Sequence, residues 1–325
     1  MSLMLRDFIP ALKWGAKISS NDIAGLLGLP YVGNIYYVDP SGGNDTTNSG
    51  ENFTNALKTV SAAYAKCTSG QHDVVLIVPS GGTGRTTEPA AIAWAKRFTH
   101  LIGCSAPTAT SIRSGMSFTL AAATTTPQFV LSENGCIFKN ITFYQGVATS
   151  YVMASITGDY NYFENCHFAG LSDATAAAEA NGVVLLLNGA EENRFVGCTF
   201  GNDNVARSAA NTLIDFQGGS SKTVFDGCRF LTYATAATAI DVRADTVNDI
   251  GRFVDFNGCA FINYVDGTSL AQTVKMTLNA APGGVVILRG GTVMTGATDW
   301  ASAFNQLKVE PVYASNTTGI LTTAT

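Results

Sequence analysis

Between Phe138 and Val293 the chain repeats one short pattern of apolar and small polar positions. Phe163-Glu-Asn-Cys166-His-Phe168 is followed by Phe195-Val-Gly-Cys198-Thr-Phe200, Phe225-Asp-Gly-Cys228-Arg-Phe230 and Phe256-Asn-Gly-Cys259-Ala-Phe261, and the Cys positions are 32, 30 and 31 residues apart. Phe138-Lys-Asn-Ile141-Thr-Phe143 is the same unit 25 residues before the first of these, with Ile in the Cys position. Leu288-Arg-Gly-Gly291-Thr-Val293 reads as a degenerate last copy, and Leu101-Ile-Gly-Cys104 as a partial first one. A near-constant period of this length marks a solenoid. Within the unit, the Asn or Gly at the third position tolerates a left-handed backbone and supplies a bend. Cys and the second Phe then resume inward on a new strand, two residues apart. Positions two and five, which include Glu164, Asp226, His167, Thr199 and Arg229, are expected to face outward.

Each period holds a further apolar run: Tyr151–Ile156, Val183–Leu187, Thr212–Phe216, Ala239–Val242 and Val274–Leu278. Two or three short strands per repeat, Gly, Asn, Ser and Asp in the turns and no helical periodicity predict an all-β chain, a single-stranded parallel β-helix of about seven coils. A propeller blade needs about 40 residues and four strands, so it fits less well. Cys166, Cys198, Cys228 and Cys259, with Phe163, Phe195, Phe225 and Phe256, are then a structural ladder, each stacking on its counterpart one coil away.

Ahead of the repeats, Tyr36-Tyr-Val-Asp-Pro-Ser-Gly-Gly reads as a strand entering a turn-rich loop. Leu57, Val60, Tyr64 and Cys67 share one face of a helix predicted over about 55–66, with Thr54 or Asn55 as N-cap. Val74–Val78 is a buried strand closed by Pro79. In these features, together with the Asn-Cys-x-Phe units, the chain resembles the pectate-lyase-like right-handed β-helix superfamily over about 34–293. The resemblance implies a right-handed coil. It implies little about activity, because that fold hosts lyases, hydrolases and inert structural proteins.

Glycan cleavage on such a rod needs carboxylates clustered on one outward face, or a basic residue beside bound calcium. The repeats contain no Asp-Asp pair, and Glu164 and Asp226 fall two coils apart with Val196 between them. That spacing is about 10 Å, slightly wide for an inverting pair; Arg229 is the expected partner of Asp226. His167 is expected on the surface rather than at a metal. Gly81-Gly-Thr-Gly-Arg-Thr-Thr87 lacks the Gly-Lys-Ser/Thr ending of a phosphate loop and reads as a turn. Asp39, Asn44, Asp45 and Asn48 lack the spacing of a calcium loop. No catalytic, cofactor-binding or metal-binding residue is therefore predicted, and no cofactor.

Composition narrows the partners. Only 13% of the 325 residues are charged and the net charge is −5, which offers nucleic-acid phosphates no electrostatic footprint. The apolar stretches near the N-terminus are interrupted by Asp7, Pro10, Lys13 and Lys17, so no membrane span is expected. The seven Cys contain no CxxC pair, which disfavours zinc, and their odd number and wide spacing fit a disulfide framework poorly.

Three segments result: an apolar arm over 1–33, the β-helix over 34–305, and a C-terminal tail or cover over 306–325. Leu5, Phe8, Ile9, Leu12, Trp14, Ile23, Leu26 and Leu27 give the arm two short amphipathic pieces, which either fold back on the rod or dock on a partner. A rod with such an arm and no visible active site resembles bacteriophage virion proteins. That resemblance implies a non-enzymatic capsid decoration or cement protein, made in the host cytoplasm and displayed on the particle surface. It is expected to be a homo-oligomer, with a trimer favoured, bound to the major capsid protein or another virion protein. The other reading is a tailspike or fibre adhesin that binds or cleaves host-surface polysaccharide.

Overall fold

The computed structural model describes residues 20–29, 32–119, 126–246, 248–264, 268–276, 283–301, 307–309, 313–315 and 319–321. These residues form a parallel β-solenoid with sheets of ten, eight and eight strands running its length, so eight strand triplets follow one another, in line with the seven or so coils expected. Coil 4, for example, consists of Tyr162–Glu164 in the first sheet, His167–Ala169 in the second and Val183–Asn188 in the third. Its strands pair in parallel with those of coils 3 and 5, in a register that sets Phe163 between Phe138 and Phe195.

The bend between the first and second sheets is made as the sequence implies. Asn140, Asn165, Gly197, Gly227 and Gly258 all have φ between 49° and 62°. Asn and Gly are the residues that enter this region at least cost. Two stacks of rings follow inside the rod. Phe138, Phe163, Phe195, Phe225 and Phe256 lie 4.7–4.9 Å apart and nearly parallel. Phe143, Phe168, Phe200, Phe230 and Phe261 repeat this at 4.4–5.1 Å. The two stacks meet edge-on or tilted, which suits the ring quadrupoles.

The Cys position has a polar task as well as a packing one. The thiols of Cys166, Cys198, Cys228 and Cys259 each point at the carbonyl of the ladder Phe one coil back, at 3.4–3.6 Å. Burial pushes the thiols of Cys198 and Cys228 well up, so they remain protonated donors. The last copy supports the donor role and corrects the alignment. Leu288 stacks on Phe256, but Val293 pairs with Ala260 and Met294 with Phe261, so one residue has been inserted. Gly290 and Gly291, both at positive φ, absorb it. Thr292, rather than Gly291, therefore takes the Cys position, and its hydroxyl donates to Phe256 O at 3.0 Å. Accordingly Cys228→Ala should lower stability by about 1 kcal/mol. Cys228→Ser should recover part of that loss in chemical denaturation; a Ser variant no better than Ala would remove the donor role.

The N-terminal region departs from expectation in its helix. Leu57 forms a parallel bridge with Val38, which keeps the chain extended there and delays the helix to Val60–Lys66 (α1), with Thr59 as N-cap. Phe53–Asn55 is a separate 3-10 turn capped by Asn52. The apolar face of α1 is nevertheless the predicted one, since Leu57, Val60, Tyr64 and Cys67 are all buried in the main core. Coil 1 grips both ends of α1. The buried carboxylate of Glu88 accepts the Val60 and Ser61 amides at 2.9 and 3.1 Å. The ammonium of Lys96 donates to the Tyr64, Ala65 and Cys67 carbonyls at 2.7–3.0 Å. Each charge sits where the helix dipole favours it.

A second helix, Ser20–Leu27, lies against the outside of the first sheet. Its Ile23 and Ala24 are buried with Tyr37, Val74, Leu76 and Ile102, and Leu27 and Leu29 pack at the edge. This explains why Val74–Ile77 is apolar at every position: the strand is covered on both faces. Of the two fates expected for the arm, Ile23 takes the first: it is buried on the chain's own rod and is not open to a partner. Leu5, Phe8, Ile9, Leu12 and Trp14 lie outside the described residues, as does the side chain of Leu26. At the other end, Leu307–Val309 pairs with Val286–Leu288, which carries the first sheet past the expected boundary at 305.

Candidate functional site

Outward side chains of the first sheet form axial columns, and the charges along them are matched. Lys139 meets Glu164 at 2.9 Å, Arg194 meets Asp226 at 3.0 Å, and Arg289 forks onto Asp255 at 2.5–2.9 Å. Arg194 is thus the partner of Asp226, in place of the expected Arg229. Asp226 is in register with Val196, so Arg194 reaches it diagonally from one coil away with its long side chain. Glu164 also accepts the Tyr162 hydroxyl at 2.9 Å, and burial together with this carboxylate pushes that phenol up to about 12. Glu164 and Asp226 are separated by Val196 as the repeat predicts.

A polar groove of about 380 Å³ lies on the outer face of the third sheet. Asp215 and Arg243, in register on adjacent coils, form its floor through two hydrogen bonds of 3.0 and 2.8 Å. Burial opposes the Arg243 charge, but Asp215 outweighs it and holds the guanidinium above its ordinary value. Gln217 donates to the same carboxylate at 2.9 Å. Asp249 is held by the Thr246 amide and hydroxyl at 2.5 and 2.7 Å, and Asn181 and Asn188 complete the rim. Amides and an ion pair of this kind can hydrogen-bond hydroxyls. The Asp215 and Asp249 carboxylates both accept hydrogen bonds from their neighbours.

Three sequence candidates resolve differently. Asp39, Asn44 and Asp45 accept hydrogen bonds from backbone amides of Ser41, Ser80, Thr46, Thr47, Lys58 and Thr59, and Asn48 donates to Ala56 O. Their oxygens fold the loop, as carboxylates and amides do in turns. Burial works to raise the Asp39 carboxyl, but hydrogen bonds from Ser80, Ser41 and Gly42 bring it below its ordinary value. The glycine-rich segment at 81–87 is a turn running into the strand Arg85–Glu88. His167 is not on the surface. It is 4% exposed beneath the loop over 104–114, and Thr142 and Thr199 in its column are fully buried. Position five is covered in coils 3–5 and open at Arg229 in coil 6. Among the described residues, no group of three His, Cys, Asp or Glu is placed to hold a metal ion.

Two polar clusters were missed from sequence. Arg207 and Asp241 are buried within a single network between coils 5 and 6. His100, fully buried, accepts the Ile137 amide at Nδ1 (3.1 Å) and faces His72 at 3.2 Å. Burial, then His72, lowers His100 to about 3, so the ring is neutral. A lone Arg in an irregular segment and a His at the edge of an apolar run carry no periodic signal.

No family model matches the chain, and no curated protein is significantly similar to it. Solved structures with similar coils include pectate lyase Pel9A, at 17% identity and a TM-score of 0.46, covering 86% of this chain and 78% of that one. Pectin methylesterase PemA from Erwinia chrysanthemi is 12% identical with a TM-score of 0.44, over 84% of this chain and 92% of its own. ORF18 of Geobacillus virus E2 is 12% identical with a TM-score of 0.36, over 86% of this chain and 62% of its own. The fold class is that of parallel β-solenoids, which serve enzymes and non-enzymes alike.

Proposed function

We propose that this chain is a non-catalytic structural protein of a bacteriophage particle, a rod displayed on the capsid surface. The observation that supports this reading is the pairing of the outward carboxylates. Glu164, Asp226, Asp255 and Asp215 each face a cation one coil away. A glycoside-hydrolysing groove needs instead one protonated and one free carboxylate across the scissile bond. In this proposal the residues before Ser20 attach the rod to a capsid protein, and copies associate as a homotrimer. The helix Ser20–Leu27 stays on its own rod and sets where the attachment begins.

The polar groove beside Asp215 and Arg243 supports a second reading, in which the rod is an adhesin for host-surface polysaccharide. Binding and turnover assays on host capsule and lipopolysaccharide separate the two, since saturable binding would favour the adhesin. No release of oligosaccharide is expected, and sustained release would overturn the non-catalytic reading. A variant lacking residues 1–19 should fold but fail to join particles; normal occupancy would remove the anchoring role.

A further inference from the structure

We propose that His167 is an acid-sensitive latch, which clamps the surface loop over 104–114 across three coils at neutral pH and releases it on protonation. The loop links the strands His100–Gly103 and Gly115–Phe118 of coil 2, and residues 106–111 are exposed. It is tied down at three points. Asn140 donates to Ser105 O at 2.7 Å, and the Thr142 hydroxyl donates to Ile112 O at 3.2 Å. Immediately before the second of these, the Ser111 amide donates to His167 Nδ1 at 3.0 Å. The other ring nitrogen, Nε2, lies 2.9 Å from Gly201 O in coil 5.

These contacts fix the tautomer. A backbone N–H can only donate and a carbonyl can only accept, so Nδ1 is bare and Nε2 carries the proton. A second proton can enter only at Nδ1, where it meets the Ser111 N–H. Two donors cannot share that 3.0 Å gap, so the charged ring and the docked loop exclude each other. Ser111 is also held at φ 51°, a left-handed conformation that a non-glycine residue leaves readily once its tether is cut.

The groups facing the ring oppose early protonation. Burial is the largest influence and lowers its affinity for a proton; Arg85 of coil 1 acts the same way, while the Gly201 carbonyl and Asp203 act against it. Arg113, at the end of the loop, lies beside Arg85. Thr142 and Thr199, the ring's neighbours in its own column, carry no charge. The folded-state proton affinity is therefore below that of a free imidazole, and release is expected only on the acid side of the ordinary histidine value of about 6.5. In sign, a lowered histidine value means that the docked form is favoured above the ordinary value and lost as pH falls.

Hydrogen–deuterium exchange by mass spectrometry, corrected for intrinsic rates between pH 7 and 4.5, tests the latch. The peptide containing Ser111 should lose at least tenfold protection as the pH is lowered across this range, while the core peptide around Phe195–Phe200 stays protected. His167→Gln keeps an acceptor for Ser111 and a donor for Gly201, so its loop should remain protected at every pH. Protection that stays flat to pH 4.5 in the unmodified chain overturns the proposal. So does the same acid loss in His167→Gln, or simultaneous loss in the core peptide. Should that variant not fold, NMR titration of the His167 ring in the unmodified chain replaces it. Coincidence of the ring's midpoint with loop release supports the latch, and separation of the two overturns it.

Discussion

Replacing Arg207 by Met is expected to destabilise the rod by about 3–5 kcal/mol, the cost of breaking a buried ion pair from one side. The guanidinium is 3% exposed and its donors are nearly all engaged. Nε and Nη2 reach the side chain and carbonyl of Asn211, and Nη2 also reaches Ile240 O, all at 2.6 Å. Nη1 donates to the Thr232 hydroxyl at 2.8 Å and lies 3.5 Å from Asp241. Thr232 in turn donates to Asp241 at 2.7 Å. Burial holds the Asp241 carboxyl above the usual range, and Arg207, then Thr232, pull it back. Methionine would fill the volume of the stem but leave four acceptors and a carboxylate without their cation. The pair should also be non-additive: adding Asp241→Leu should recover part of the loss, because the orphaned charge goes with it. Urea unfolding followed by circular dichroism reads both effects. A loss below 1 kcal/mol for the single variant would show that the segment carrying Arg207 opens independently of the rod.

Phe195→Ala is expected to cost about 3–5 kcal/mol as well, by a different route. Its ring is fully buried, stacks on Phe163 and Phe225 at 4.7 and 4.9 Å, and meets Phe200 edge-on at 5.6 Å. Truncation leaves a cavity that the flanking rings cannot close, because each is held in register by its own strand. Phe195→Leu retains most of the volume and should cost about 1.5 kcal/mol or less. Position along the rod also matters, since in a repeat structure stability is transmitted through nearest-neighbour interfaces. A hole in coil 5 weakens two interfaces in the middle of the stack. The same measurement on Leu288→Ala, near the C-terminal end, should give a smaller loss.

The parts of the fold that were legible in sequence are those that repeat. Phe, Cys and the bending Asn or Gly recur because every coil must place a ring, a small donor and a left-handed residue at the same points. The period therefore carried the strand order and the core. The reading failed wherever a position answers to something outside its own coil. Position five of the repeat looked solvent-facing, yet the loop over 104–114 covers it at His167, and loop coverage leaves no periodic trace. The last repeat was misaligned by one residue because a Gly pair hid an insertion, and only strand pairing shows Thr292 in the donor position. The helix start was misplaced because Leu57 suits a helical face and a bridge to Val38 equally well. Buried ions were the least legible. Asp215 and Arg243 are 28 residues apart, a spacing that means adjacency only once the coil length at that point is known.

Coil length itself varies, and from coil 3 onward it varies most in one place. In coils 3–7 the bend between first and second sheets is constant, whereas the link from second to third sheet runs from Ala169 to Val183 in coil 4 and only from Asn263 to Leu270 in coil 7. Ring stacks and thiol donors stay in register regardless, so the scaffold treats that edge as an open port. Peptides spliced there should change the outline of the rod while leaving its interior untouched. That edge can thus diversify freely while the left-handed bend between the first and second sheets is held by geometry in coils 3–7, which makes the chain a candidate carrier for grafted segments.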